Sequence, residues 1–403
     1  MRPFRTTISM TEAVARVLAA AVPIDRTERV SLDETNGRVL AEPIIAPADV
    51  PPFDRAAMDG FAVIAGETSG ASPEAPRILR RVETIYAGQV PARTVERGEC
   101  AEISTGAPMP AGADAVVMVE ATDGGAGDRI GVFAPVAPWQ NVGRRGADLT
   151  GGARVLDTGA FLNPSRIGAL AAAGADHATV FARPVVAIVS TGNELMEPGR
   201  PLAPGQIYDV NRHTLSAVIR LHGGIPRVLP GAPDTLHGLT AALHDAAADA
   251  DVIVFSGGSS VGKRDLVLDV LRASGEVLFH GIAVKPGKPT ALGRIGSRPV
   301  LGMPGNPTSC LSNGYLLLVP LLRRVARLPA HRPETTRLPL ARRVVSASDR
   351  HQFFTVKIED GLAVPAFKAS GDITSMAYAD GYIEIEAGTP VVETGEMVDV
   401  RLF

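Results

Sequence analysis

The sequence predicts a multidomain protein of α/β plus β class. Three observations carry this. The 403 residues suffice for about two to four ordinary domains. From "RPVVAIVSTGNEL" to "SNGYLLLVPLLRRVAR", apolar runs of strand length alternate with helical runs, which predicts an α/β domain with a mostly parallel sheet. Residues 51–145 and 335–403 are instead full of short strand-like runs, Gly and Pro, without helical periodicity.

Each element has a local reason. "ISMTEAVARVLAAAVP" predicts a helix, with Ser9 and Glu12 spaced for a capping box and Val14, Val17, Leu18 and Ala21 on one face. "ERVSLDETNGRVLAEPIIAP" predicts two short strands around Asn36-Gly37, a hairpin signal. "FAVIAG", "RILRRVETIYAGQ" and "RIGVFAPV" read as strands of a β-rich insert. "NPSRIGALAAAG" returns to helix, with Asn163 as N-cap, Pro164 in the first turn and Gly174 at the end. In the α/β region, "PVVAIVS", "IPRVLPG", "DVIVFSGG", "EVLFHGIAV" and "PVLGMPGNP" are the strands, and "NRHTLSAVIRLHGG", "DTLHGLTAALHDAAADA" and "DLVLDVLRASG" are helices between them. The Pro/Arg-rich "ARLPAHRPETTRLP" separates this region from a small C-terminal β domain.

Composition narrows the function. Hydrophobic residues at 45% and charged residues at 21% mark a core-forming globular chain. A net charge of -3 argues against a generally basic nucleic-acid binder, so any positive field for an anionic ligand must be local. Two cysteines, Cys100 and Cys310, form neither a metal spacing nor a disulfide framework. The start "MRPFRTTISM" has no apolar stretch of signal-peptide kind, and "YLLLVPLL" is too short to span a bilayer and contains Pro320. The expectation is a soluble cytoplasmic protein with no nucleic-acid or membrane partner. Of the 40 basic residues only five are Lys, and three of these, Lys263, Lys285 and Lys288, fall in two short Gly-containing loops. Lysines kept in those loops point to sites where a planar guanidinium would not fit, with chance clustering as the plainer alternative.

Loops after predicted strands carry the chemistry, because such sheets bind ligands at the carboxyl ends of their strands. "STGNELMEPG" places Glu194 just beyond a strand end. "SGGSSVGKRD" offers the backbone N–H groups of Gly257 and Gly258, the hydroxyls of Ser259 and Ser260, and Asp265 at the next helix start. "VKPGKPTALG" puts Lys285 and Lys288 on either side of a Pro-Gly turn, and "GMPGNPTS" enters a helix near Pro307. Helix N-termini and ammonium groups suit a phosphate, and the two carboxylates at the same rim make sense if a divalent cation bridges them to the anion. The plainer alternative makes Asp265 a helix N-cap and Glu194 a solvated charge. "GGSSVGK" also spells a P-loop up to its last position. There Arg264 stands where Ser or Thr must hold Mg²⁺, so the match is read as accidental.

"PPFDRAAMDGFAV", "STGAPMPAGADAVVMVE", "GRRGADLTGG", "VSTGNELMEPG", "FSGGSSVGKRD", "VKPGKP", "GMPGNPTS" and "ASGDITSMAYADGYIEI" follow one another along nearly the whole chain. Together they resemble the molybdopterin molybdenumtransferase (MoeA) family, which includes the E-domain of gephyrin. The resemblance implies four domains: an extended N-terminal linker domain over 1–50 and 146–180, an inserted β-rich domain over 51–145, an α/β molybdopterin-binding domain over 181–328 and a C-terminal β-barrel over 329–403. It implies insertion of molybdate into adenylylated molybdopterin with release of AMP, the final step of molybdenum cofactor biosynthesis. It also implies Mg²⁺ as cofactor, an elongated homodimer, and a molybdopterin adenylyltransferase as a partner.

By position, the resemblance assigns Asp59, Asp148, Asp265, Lys285 and Lys288 to catalysis. It assigns Thr105, Glu194, Asp234 and one of Ser370 and Ser375 to substrate binding; the loop chemistry adds Arg144, Gly257, Gly258, Ser259 and Ser260 as further substrate contacts and puts Glu194 and Asp265 at the metal. Asp234 in "GAPDT" matches more loosely, and Lys263 makes this loop more basic than is common in the family. Phe61 replaces a common Tyr. Turn roles compete for Asp59, Asp148 and Thr105, since each adjoins or lies near Gly in loop-like sequence. Rival readings fail on particular features. An adenylyltransferase needs neither the 51–145 insert nor the C-terminal β domain, a P-loop kinase fails at Arg264, the competence-damage family lacks "AMDGFA", a pure scaffold is expected to carry an appended domain or long linker, and an inert paralogue is expected to have lost carboxylates or lysines that all stand here.

Overall fold

The computed structural model describes residues 7–125, 127–257, 266–347 and 349–403. The chain divides into two compact units, one of Met1–Glu28, Gly37–Val39 and Thr179–Phe403, the other of Arg29–Asn36 and Leu40–Ala178.

The first unit is organised by a six-stranded sheet. In order across the sheet its strands are Ile225–Val228, Val185–Ser190, Val252–Ser256, Arg298–Met303, Ala291–Ile295 and Glu276–His280. The first four run parallel, with Val186 opposite both Pro226 and Val252, and Val254 opposite Leu301. Both faces are covered, which is why these strands read as unbroken apolar runs. Val186, Ile188, Val252 and Val254 enter one core, and their neighbours Ala187, Val189, Ile253 and Phe255 enter the other. The last two strands are antiparallel additions. "ALGRI", expected as part of a loop, is one of them. It forms a hairpin with Arg298–Met303 around Gly296, whose left-handed φ of 57° glycine adopts at no steric cost. Because two successive strands reverse direction, the end of Glu276–His280 still lies at the rim where the parallel strands finish.

Helices Asn211–Leu221, Leu236–Asp249 and Leu266–Ser274 cover the sheet. A fourth helical stretch starts at Pro307, passes through a π-turn at Gly314–Leu318 and ends at Val325. The π-turn precedes Pro320, which has no N–H to donate, so the irregularity stands where the regular ladder cannot be completed. Among the described residues no helix is long and apolar enough to cross a membrane.

The N-terminal helix, Met10–Ala20, is capped by Ser9, whose hydroxyl accepts from Glu12 N–H at 3.1 Å. The reciprocal half of the expected capping box is missing, because the Glu12 carboxylate accepts from Arg16 at 2.6 Å. The buried face is Met10, Ala13 and Val17, and Leu18 is exposed, so the face is turned from the expected one. The C-terminal strands form an antiparallel sheet in which His351–Glu359 pairs with Leu362–Pro365 through Asp360 and Gly361, both at positive φ, as a two-residue hairpin requires.

The second unit holds a five-stranded sheet in the order Ala115–Met118, Gly60–Val63, Glu99–Ile103, Arg77–Ile85 and Arg129–Val132. The helix Pro164–Ala172 has the expected Asn163 cap, accepting from Arg166 N–H at 3.0 Å, and ends at Gly174 with φ of 80°. The hairpin expected at Asn36-Gly37 does not form. A turn is present, but Leu40 N–H donates to the distant Ala160 carbonyl at 2.9 Å.

Candidate active site

A cavity of about 490 Å³ opens where the parallel strands end. Thr191, Glu194, Asn211, Asp234, Gly257 and Asn306 are among the residues lining it. Strand Val185–Ser190 runs into Thr191, whose N–H donates to Ser256 O at 3.0 Å and whose hydroxyl donates to Asp234 Oδ1 at 3.2 Å. Gly192 has φ of 150°, and a Cβ there would lie 2.7 Å from a Glu194 carboxylate oxygen, so Gly lets the acid fold back over the turn. Gly257, with φ of 99°, brings its backbone against Thr191, and a Cβ would stand 2.3 Å from the Thr191 carbonyl oxygen. Asn211, buried at the start of its helix, donates from Nδ2 to Ser256 Oγ at 2.7 Å and to Gly305 O at 2.8 Å. Three chain segments from distant parts of the sequence are thereby fastened around one opening.

The lysine loop adjoins this site from the C-terminal side. Val284–Lys285 is a short strand paired in parallel with His351 and Gln352, and Lys285 and Lys288 are half-buried. The turn between them is fastened from behind. Asn313 Nδ2 donates to Gly287 O at 3.0 Å and to Thr290 Oγ1 at 2.6 Å, and Gly287 has φ of 105° with Asn313 where a Cβ would go. Pro289 lines the cavity, whereas neither lysine is among its lining residues. The backbone of Lys285 is held by its pairing with Gln352. The charge of Lys288 adds to the stronger effect of Arg350 in holding the Asp349 carboxyl below its ordinary range.

Ser370 and Ser375 occupy different surroundings. Ser370 Oγ accepts from Asn306 Nδ2 at 3.2 Å, beside the cavity. Ser375 is fully buried, its hydroxyl donating to Asp372 O at 2.8 Å and lying 3.4 Å from Thr308 Oγ1.

Asp59, Thr105, Arg144 and Asp148 belong to the second unit. Gly60 pairs with Ile103 across two antiparallel strands, so Asp59 and Thr105 meet at one sheet end. Asp59 Oδ1 accepts from Thr105 N–H at 2.7 Å and from its hydroxyl at 2.9 Å, and these two bonds hold the carboxyl below its ordinary range. Gly60 cannot be replaced there, since a Cβ would lie 1.9 Å from Val117 O. Arg144 places its guanidinium 4.3 Å from the centre of the Trp139 ring, while Arg145 is engaged by Asp49 at 2.6 Å. Asp49 also accepts from Gly151 N–H at 2.8 Å and so shapes the loop that presents the exposed Asp148.

Gly258, Ser259, Ser260, Lys263, Arg264 and Asp265 lie outside the described residues. Among those described, Glu194, Asp209 and Asp234 line the cavity, but no three His, Cys, Asp or Glu side chains are close enough to cage a metal ion. Magnesium needs no such cage, since it is commonly held by one or two carboxylates together with phosphate oxygens and water. Both cysteines are buried, with thiols pushed up to about 12 by burial, and offer no nucleophile. Sequence reasoning missed Asp209, Asn211 and Asn313. The run "YDVNRHT" carried a signal, an Asp/Asn-rich helix start, but it reads as ordinary capping.

Residues 8–174 match the MoeA N-terminal region (domain I and II), 187–324 a probable molybdopterin binding domain, and 337–403 the MoeA C-terminal region (domain IV). Molybdopterin molybdenumtransferase 2 of Mycobacterium tuberculosis is 35% identical over 395 residues, covering 96% of this chain and 97% of that protein. The molybdopterin molybdenumtransferase of Haemophilus influenzae is 31% identical over 416 residues, covering 98% of each. A crystal structure of the molybdopterin biosynthesis MoeA protein from Pyrococcus horikoshii superposes with a TM-score of 0.84 at 39% identity, covering 98% of this chain and 99% of that one. Similarity of this extent, running through all three matched regions, shows that the chain belongs to the MoeA family.

Proposed function

We propose that this protein inserts molybdate into adenylylated molybdopterin and releases AMP, completing the molybdenum cofactor. The observation that supports this best is the cavity at the strand ends, where Glu194 and Asp234 from separate motifs share one wall beside the lysine loop. Its end-to-end relatives are named molybdopterin molybdenumtransferases.

In this reading the substrate's pyrophosphate and the incoming molybdate are held against one another. The dithiolene takes up molybdenum, a water splits the pyrophosphate, and AMP leaves. Lys285 and Lys288 hold anionic oxygens at the cavity edge. Gly257, Gly258, Ser259 and Ser260 offer backbone N–H groups and hydroxyls to phosphate. Asp59 and Asp148 position the molybdate or orient a water, with Thr105 fixing Asp59. Arg144, Asp234 and Ser370 contact substrate, and Ser375 supports the loop from within. Alignment and charge neutralisation are then the main contributions asked of the protein. Glu194 and Asp265 would hold Mg²⁺, which when bound would neutralise charge on the phosphates.

The same reading includes the four-domain division with a C-terminal barrel, a cytoplasmic homodimer, and a molybdopterin adenylyltransferase as supplier of the substrate. The test is to give purified protein adenylylated molybdopterin, molybdate and Mg²⁺. AMP release is expected, and a folded protein that releases none would defeat the reading.

A further inference from the structure

Another cavity, of about 350 Å³, shares no lining residue with the one at the strand ends. His222, Arg323 and His331 stand in its wall. His222 is 3% exposed, and neither of its ring nitrogens has a hydrogen-bond partner among the described residues. Arg323 is half-buried. Its Nε donates to Pro329 O at 2.7 Å, which fixes the guanidinium. Its two terminal amino groups have no partner among the described residues, and burial lowers its pKa with no carboxylate to offset the effect. Arg327, by contrast, has Asp25 as its counter-ion. Glu334 is the one acid among the lining residues, and it is exposed. A guanidinium drawn out of water without a counter-ion, beside an imidazole with both nitrogens unsatisfied, is unfavourable unless an anion supplies the missing partner. Tyr315, Tyr382 and Phe403 supply an apolar side of the same cavity. Their ring centres are 5.3 Å apart for Tyr315 and Phe403 and 5.7 Å apart for Tyr382 and Phe403, so the three rings form one surface.

We propose that this cavity is a binding site for a small aromatic carboxylate, its head held by Arg323 and the imidazoles of His222 and His331 and its ring laid against Tyr315, Tyr382 and Phe403. With Nε engaged, the terminal amino groups of Arg323 remain as a planar pair of donors, the shape that a carboxylate accepts. A neutral imidazole presents one N–H whichever tautomer it adopts, so each histidine adds a donor without needing to be charged. One guanidinium balances a single negative charge, which suits a carboxylate better than a doubly charged phosphate. The apolar side asks for a ligand with a flat hydrophobic body, and the volume is that of a small-molecule site. The site is independent of the transfer proposed above, which belongs to the strand-end cavity whether or not this one is filled.

The test is calorimetric titration of the full-length protein with benzoate, and separately with benzyl alcohol, acetate and inorganic phosphate. Saturable binding of benzoate is expected. The other three are expected to bind about tenfold more weakly or worse, since each lacks either the ring or the planar carboxylate. Arg323→Met keeps the apolar stem, removes the fork and is expected to weaken benzoate by about tenfold or more. His222→Phe keeps a ring of similar shape, removes an N–H donor and is expected to weaken benzoate by a smaller factor. A measurement on the wild type needs no variant to fold: the ring-nitrogen NMR signals of His222 are expected to shift on titration with benzoate and to stay in place with benzyl alcohol. No saturable benzoate binding, unmoved His222 signals, or unchanged benzoate affinity in either folded variant would each overturn the proposal. Phosphate or acetate binding as tightly as benzoate would reassign the site to simple anions, and benzyl alcohol binding as tightly would reassign it to apolar rings. Either result would overturn it as well.

Discussion

The Asp59 carboxylate and Thr105 are joined twice, through the Thr105 N–H at 2.7 Å and its hydroxyl at 2.9 Å. The backbone bond is the stronger cause of the lowered carboxyl pKa and the hydroxyl bond the next. Thr105→Val keeps the first and removes the second. The Asp59 titration midpoint is therefore expected below 3.8 in the wild type and higher in Thr105→Val, with the carboxylate ionised at neutral pH in both. Because the folded value is depressed, the associated stability is complete above the ordinary carboxyl range and is lost as pH falls through the folded value. Carbon-detected NMR titration of Asp59 checks this, and an unmoved midpoint in Thr105→Val would contradict it.

Gly257 stands where two strand ends approach, and a Cβ would lie 2.3 Å from the Thr191 carbonyl oxygen at a φ of 99°. Gly257→Ala is expected to lower stability by about 1–3 kcal/mol from the backbone conformation alone. It should also push Thr191 away from Asp234. Urea unfolding and turnover are expected to worsen together, and a variant with wild-type values of both would show that the strand ends need not touch.

Ser370 and Ser375 make a sharp contrast. Ser370→Ala removes an acceptor for Asn306 at the cavity and is expected to lower turnover with little change in melting temperature. Ser375→Ala removes a buried donor to the Asp372 carbonyl and is expected to cost about 1 kcal/mol of stability, with activity per folded molecule retained. Paired thermal melts and AMP assays separate the two. The reverse pattern would assign the substrate contact to Ser375.

His222 is buried, both its ring nitrogens lack hydrogen-bond partners among the described residues, and it meets His331 edge-on at 4.7 Å. Burial first, then the charges of His331 and Arg323, hold its pKa down to about 4 from 6.5. The unfolded chain thus binds a proton that the native state refuses. Stability is expected to be full above pH 6.5 and to fall as the pH drops toward 4. In His222→Phe this part of the pH dependence should vanish. Melting curves across that window check it, and an identical slope in the variant would assign the effect elsewhere.

Much of this was legible in the sequence because its cause is local. Unbroken runs such as "PVVAIVS" report a strand covered on both faces, and Asn163, Pro164 and Gly174 mark a helix by chemistry within a few residues. What was not legible depends on partners far along the chain. Asn211 and Asn313 read as polar helix positions until Gly305 and Gly287 are brought against them. The pairing of Lys285 with the C-terminal sheet has no local trace, since its partner strand begins at His351. The missed strand "ALGRI" is short, contains Gly293 and follows a Pro/Gly turn, so loop chemistry masked it. Asn36-Gly37 made its turn, but tertiary pairing took the flanking segment elsewhere. At the site, residue types were readable and their mutual distances were not.

The most direct test of the central claim is stoichiometric. Purified protein is supplied with adenylylated molybdopterin and Mg²⁺, with and without molybdate, and AMP and pterin-bound molybdenum are measured in the same samples. Molybdate-dependent release of AMP with about one molybdenum gained per AMP is the expected result. AMP released equally without molybdate, or none released by the folded protein, would contradict the account.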